Sequence, residues 1–221
     1  MKKTIIVLIL ILNFIEAKMI PQEFRYIKNE IPNIVEEIRY YGENNFIGTP
    51  IDGYLAPRAI LTKEATKSLK KVQNELNSFG LGLKIFDAYR PQKAVNHFVR
   101  WGKDLKQTKM KMEYYPTVDK KNLFKEGYIA EKSGHSRGST IDLTIIELKN
   151  ETELDMGSNF DFFSKMSWVK YDKITPQQRA NRMLLNSIML RYGFRPYAQE
   201  WWHFTLKNEP YSNKYFDFNI R

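Results

Sequence analysis

The 221-residue chain contains no cysteine. Disulfides, thiolate-rich structural zinc sites, cysteine nucleophiles and cysteine lipidation are thereby excluded, and packing, with or without a metal, must hold the fold. Histidine is nearly absent as well, with three in the whole sequence. Any metal site must therefore draw on histidine and carboxylate, a donor set typical of catalytic rather than structural zinc. The formal charge is +10, yet no arginine-rich tract, zinc-finger spacing or aromatic RNA-binding signature accompanies it. That pattern indicates a solvated basic surface suited to anionic surroundings, and no nucleic-acid partner is expected.

Long apolar runs are confined to one, near the start. Met1-Lys2-Lys3 precedes a run to Ile15 broken by Asn13, followed by Glu16-Ala17. A basic start, about a dozen apolar residues and a small residue at the cut describe a secretory signal peptide over residues 1–17. The run is short of the ~20 residues that span a bilayer, so no stable membrane insertion is expected after cleavage. An exported protein, periplasmic or secreted, is expected, with a cytoplasmic location as the alternative.

Residues 18–221 are expected to form one domain, since 43% of the sequence is apolar and no linker or repeat divides it. Pro21, Pro32, Pro50 and Pro57 argue against a long helix early on. After Thr62, Ala65, Leu69, Val72 and Leu76 mark one helical face, with Gly80 at the stop. Leu81–Phe86 has strand character, and Ala94, Phe98, Trp101 and Leu105 mark a helix after Pro91. Residues 106–132 are lysine-rich and irregular, a surface excursion expected to border a cleft. Thr140–Ile145 alternates, which sets Asp142 apart from the apolar layer of Ile141, Leu143 and Ile145. Thr175-Pro176-Gln177-Gln178 combines a capping box with proline at the first helical position; the helix it opens is expected to bury Ala180, Leu184 and Ile188. Trp202–Leu206 closes the set as a strand. The fold class is α+β: a central, mainly antiparallel sheet with flanking helices and a zinc site in a cleft.

Two stretches carry the chemistry. Ser133-Gly134-His135 leads through Gly138 to Asp142, and Glu200-Trp201-Trp202-His203 follows far along the chain. His135, Asp142 and His203 supply three ligands of the kind that hold a catalytic zinc and leave a fourth position for water. A turn at Gly138 is required, because His135 and Asp142 stand seven apart and would otherwise face opposite ways. Glu200 is the candidate general base, expected just before the strand because alternation would separate it from His203. Arg90, at a strand-to-helix junction, is the candidate oxyanion donor. Each has a plainer alternative: packed histidines, a surface glutamate, and an ordinary Asp87–Arg90 ion pair. His97 lacks a second ligand at useful spacing and is expected to be a packed side chain.

These motifs resemble the zinc D,D-peptidases, and among them the D-alanyl-D-alanine dipeptidases. The resemblance also takes in Arg39-Tyr40, Asn45-Phe46-Ile47-Gly48, Asp87-Ala88-Tyr89-Arg90-Pro91, Asp155-Met156-Gly157 and Phe160-Asp161. It implies one zinc per chain on His135, Asp142 and His203, with Glu200 as catalytic base and Arg90 stabilising the transition state. It further implies that Tyr40, Ser133 and Asp161 hold a small D,D-dipeptide substrate, Asp161 facing its free ammonium. The implied reaction is hydrolysis of D-alanyl-D-alanine in cell-wall peptide metabolism. The alternative is a D,D- or L,D-carboxypeptidase or endopeptidase acting on longer stem peptides with the same machinery.

Overall fold

Local signals fix the element boundaries. In the computed structural model, which describes residues 20–221, the chain runs β1 (Phe24–Tyr26), α1 (Ile27–Glu30), β2 (Val35–Glu36), β3 (Ile60–Thr62) and α2 (Lys63–Asn77). It continues through β4 (Leu81–Asp87), α3 (Gln92–Lys103), α4 (Lys111–Tyr114), β5 (Thr140–Glu147), α5 (Pro176–Arg191), β6 (Phe194–Tyr197) and β7 (Glu200–Leu206). The signal peptide expected over residues 1–17 lies outside the described residues. Among those described, no helix is long and apolar enough to cross a membrane.

The sheet has the order β2-β4-β5-β7-β6, antiparallel throughout except for the short parallel pair β2–β4. This is the α+β arrangement expected, with β1 and β3 forming a separate antiparallel pair. Thr62 caps α2 by accepting the Ala65 N–H, and Gly80 after it takes φ +73. Ala65, Leu69, Val72 and Leu76 are fully buried; the three larger ones contribute about 1.5–3 kcal/mol each through burial. Gln73, on the same face, satisfies its buried oxygen with the Leu83 N–H of β4 at 3.0 Å, which locks the helix to the sheet.

Four expectations need correction. α3 ends at Lys103, so Leu105 lies past the helix and is exposed. The segment 106–132 is more than a surface excursion, because Tyr114, Tyr115, Val118, Leu123 and Ile129 are buried in the main core. α5 buries Ile188 as expected, but Ala180 and Leu184 are exposed, and the rest of the buried stripe is Asn181, Arg182, Leu185 and Met189. Two members of that stripe are polar because they bind carbonyls of a neighbouring loop, so apolar periodicity could not mark it. Finally, Glu200 belongs to the last strand rather than preceding it. The β6–β7 register breaks between Pro196 and Tyr197, which re-aims the strand end and removes the alternation that would separate Glu200 from His203.

Candidate active site

Strand pairing assembles most of the site. On β5, Asp142 stands opposite His203 of β7 on one side and opposite Asp87 of β4 on the other, and directly opposed residues share a face of the sheet. His135 arrives from a 3-10 turn over Gly134–Arg137, capped by the Ser133 hydroxyl, which accepts the His135 N–H at 3.3 Å. The expected reversal is at Gly138, with φ +83. A Cβ there would lie 2.3 Å from the Phe24 ring, so glycine is demanded by both backbone and space.

The three donors are oriented before any ion arrives. His135 Nδ1 lies 2.7 Å from the carbonyl oxygen of Ala88. A carbonyl only accepts, so Nδ1 carries the proton and Nε2 presents its lone pair to the cleft. That Nε2 is 3.3 Å from His203 Nδ1 and 3.2 Å from Asp142 Oδ2, while His203 Nδ1 is 3.1 Å from Asp142 Oδ1. Ligands at ~2.0–2.1 Å from a tetrahedral zinc stand about 3.3–3.4 Å apart, and the observed spacings are close to that. Asp142 Oδ1 is buried without a hydrogen-bond partner, as a carboxylate oxygen reserved for a cation would be. His135, Asp142 and His203 thus fit a zinc ion, and they form the cluster of potential ligands found among the described residues.

Electrostatics point the same way. Burial opposes ionisation of Asp142, but His135 and His203 overcome it and hold the carboxyl below the usual carboxylate range. Burial likewise opposes the charged His203 ring, yet the carboxylates of Asp142 and Glu200 beside its Nδ1 push it up to about 9. The site therefore attracts positive charge, a proton when no metal is bound.

Arg90 Nε and Nη2 both lie 2.9 Å from Asp87 Oδ2, and Nη2 reaches 3.6 Å from Asp142 Oδ2. Tyr54 donates to the other Asp87 oxygen at 2.6 Å. The ion pair and the site role are thus compatible: Asp87 fixes the guanidinium, which also lies over Tyr40 and Phe98 at 5.0 and 5.1 Å. Burial works against the charge, but the Tyr40, Asp87 and Tyr54 oxygens around the guanidinium raise its pKa well above the ordinary arginine value.

A cavity of about 280 Å³ opens beside these groups, and every candidate site residue lines it: Tyr40, Arg90, Ser133, His135, Asp142, Asp161, Glu200 and His203. Glu200 Oε2 is 3.2 Å from His203 Nδ1. At the other end Tyr40 donates to Asp161 Oδ2 at 2.7 Å. Burial drives the Asp161 carboxyl well upward against that bond, and a cation placed beside it would reverse the shift. Ser133 supplies the turn cap as well as lining the cavity. The 106–132 segment does border the cleft, through Tyr128, Ile129 and their neighbours. His97 is elsewhere, accepting the Asp52 N–H at 3.3 Å. Sequence reasoning missed Tyr54, Tyr128 and Tyr197, isolated tyrosines with no local pattern; the Tyr197 ring faces His203 at 5.5 Å.

The chain is 39% identical over 198 residues to a D-alanyl-D-alanine dipeptidase of Enterococcus faecium, covering 90% of this chain and 98% of that protein. A D-alanyl-D-alanine dipeptidase of Streptomyces coelicolor matches with the same identity and coverage. A solved vancomycin resistance D,D-pentapeptidase in complex with Zn(II) aligns at TM-score 0.42 and 14% identity, covering 70% of this chain and 77% of that one. The sequence pattern of the D-Ala-D-Ala dipeptidase family matches residues 22–221, and the chain belongs to that family.

Proposed function

We propose that this chain is a zinc metallopeptidase that hydrolyses D-alanyl-D-alanine to two D-alanines, with His135, Asp142 and His203 as the metal ligands. The observation that carries the reading is the set of three donors at zinc-ligand spacing with Glu200 beside them. When bound, zinc acidifies water and polarises a carbonyl oxygen. Glu200 takes the proton from the attacking water and returns it to the departing amine. Arg90, held by Asp87, faces the negative charge that develops on the carbonyl oxygen; donors of this kind are worth about 2.7–4 kcal/mol in the transition state.

Tyr40 and Asp161 bind the substrate ammonium, and Ser133 lines the wall beside the metal ligands. The free amine is what makes the enzyme a dipeptidase: an extended peptide offers an uncharged amide where Asp161 requires a cation. The Asp161–Tyr40 pair lining the same cavity as the metal ligands supports this choice over a carboxypeptidase or endopeptidase. The sequence of residues 1–17 supports export, and wall-derived dipeptides are then the accessible substrate. The test is to offer zinc-loaded protein a panel of free dipeptides and longer stem peptides. Cleavage confined to free D,D-dipeptides is expected; preferred cleavage of stem peptides would assign the carboxypeptidase reading instead.

A further inference from the structure

Asp161 sits in the loop between β5 and α5 with φ +58, a left-handed backbone that aspartate tolerates better than most residues. The contacts that hold this loop trace to α5. Arg182 is 4% exposed, and its guanidinium donates to three carbonyls: Met156 at 2.6 Å, Trp168 at 2.9 Å and Met166 at 2.9 Å. The three acceptors flank Asp161 on both sides in sequence, so a single rigid fork ties the two ends of the loop together.

Two neighbours on the same face of α5 reinforce it. Asn181 donates to the Asp155 carbonyl at 2.8 Å, and Gln178 donates to Asp155 Oδ2 at 2.8 Å. Asp155 in turn accepts the Gly157 N–H at 2.8 Å, and Gly157 takes φ +82 where a Cβ would press on Ile174 and Gln178. The Asp155-Met156-Gly157 motif is thus the anchor of the loop and does not line the dipeptide cavity itself. Between the anchors, Phe160 stacks on Phe86 at 4.8 Å and meets Trp202 edge-on at 5.4 Å, which directs Asp161 toward Tyr40. No carboxylate pairs with Arg182 among the described residues; burial lowers its pKa to about 10, with Asp155 pulling the other way. A buried arginine satisfied by carbonyls alone costs stability that apolar packing would not, and what it orders here is the loop that carries Asp161.

We propose that Arg182 is a positioning residue for the ammonium subsite: by clamping Met156, Met166 and Trp168 it sets the place of Asp161 and hence the selection for a free amino terminus. This rests on the dipeptidase reading above. Lysine cannot span three carbonyls, so Arg182→Lys loosens the loop while keeping the charge. A misplacement of ~1 Å at a binding group can cost on the order of 100-fold.

The experiment is a double-mutant cycle on kcat/KM for D-alanyl-D-alanine using Arg182→Lys, Asp161→Asn and the pair, with bound zinc and thermal unfolding measured on each. Arg182→Lys is expected to raise KM about tenfold or more, to leave zinc content at the wild-type level, and to have little further effect once Asp161 is Asn. A purely structural arginine would lower activity equally in both backgrounds, and that additivity would overturn the proposal. Should Arg182→Lys not fold, Asn181→Ala, which removes one anchor, carries the same test with a smaller KM rise. Absence of dipeptide hydrolysis in the wild-type protein would refute the dipeptidase reading; wild-type hydrolysis with additive variants would refute the positioning role alone.

Discussion

Replacing Glu200 with glutamine separates proton transfer from metal binding. Glu200 Oε2 lies 3.2 Å from His203 Nδ1, close enough to meet a water at the metal, yet the three ligands do not include it. A positioned general base contributes about 10²–10⁴-fold, which at ~1.36 kcal/mol per decade is about 2.7–5.4 kcal/mol of barrier. Turnover of Glu200→Gln should fall within that range with KM little changed. Zinc should stay. Glu200 is one of the groups that push His203 up to about 9, so neutralising it makes the Nδ1 lone pair easier to free and does not weaken metal uptake at neutral pH. D-Alanine release read against zinc content from elemental analysis tests both halves. Wild-type turnover in this variant, or loss of its zinc, would refute the reasoning.

Arg90→Lys should lower kcat by about 10²–10³-fold, because an ammonium cannot hold Asp87 Oδ2 through two nitrogens and still reach toward Asp142; steady-state kinetics check this. In the metal-free protein the raised His203 contributes stability that is complete below about pH 6.5 and is lost as pH rises through about 9. Zinc needs the deprotonated ring, so its apparent affinity should climb over the same window with release of a proton, measurable by calorimetry in buffers of different ionisation enthalpy. Gly138→Ala should destabilise the fold by about 2–5 kcal/mol, summing left-handed backbone strain and overpacking against the Phe24 ring; urea unfolding reads it, and an unchanged midpoint would contradict the structure.

Local chemistry explains what was legible in the sequence. Thr62, Thr175 and Pro176 announce helix starts through their own hydrogen bonds and ring geometry, and Gly138 announces the reversal that brings His135 to Asp142. The candidate ligand set was legible because so few histidines exist to choose from. What the sequence hid depends on distant partners. The inward face of α5 is set by Asn181 and Arg182 binding loop carbonyls, and no hydrophobic period reports that. Glu200 reaches the site through a register break in β6–β7, which alternation rules cannot anticipate. Tyr54 supports Asp87 from 33 positions away, with nothing in its own neighbourhood to say so.

On the proposed reading, one zinc ion held by His135, Asp142 and His203 turns this cavity into a D-alanyl-D-alanine hydrolase. Titrating zinc into metal-free protein while following D-alanine release tests it most directly. Activity should be absent without metal, rise in proportion to added zinc, and level off at one equivalent per chain. Full turnover in metal-free protein, or none at one bound equivalent, would contradict the account.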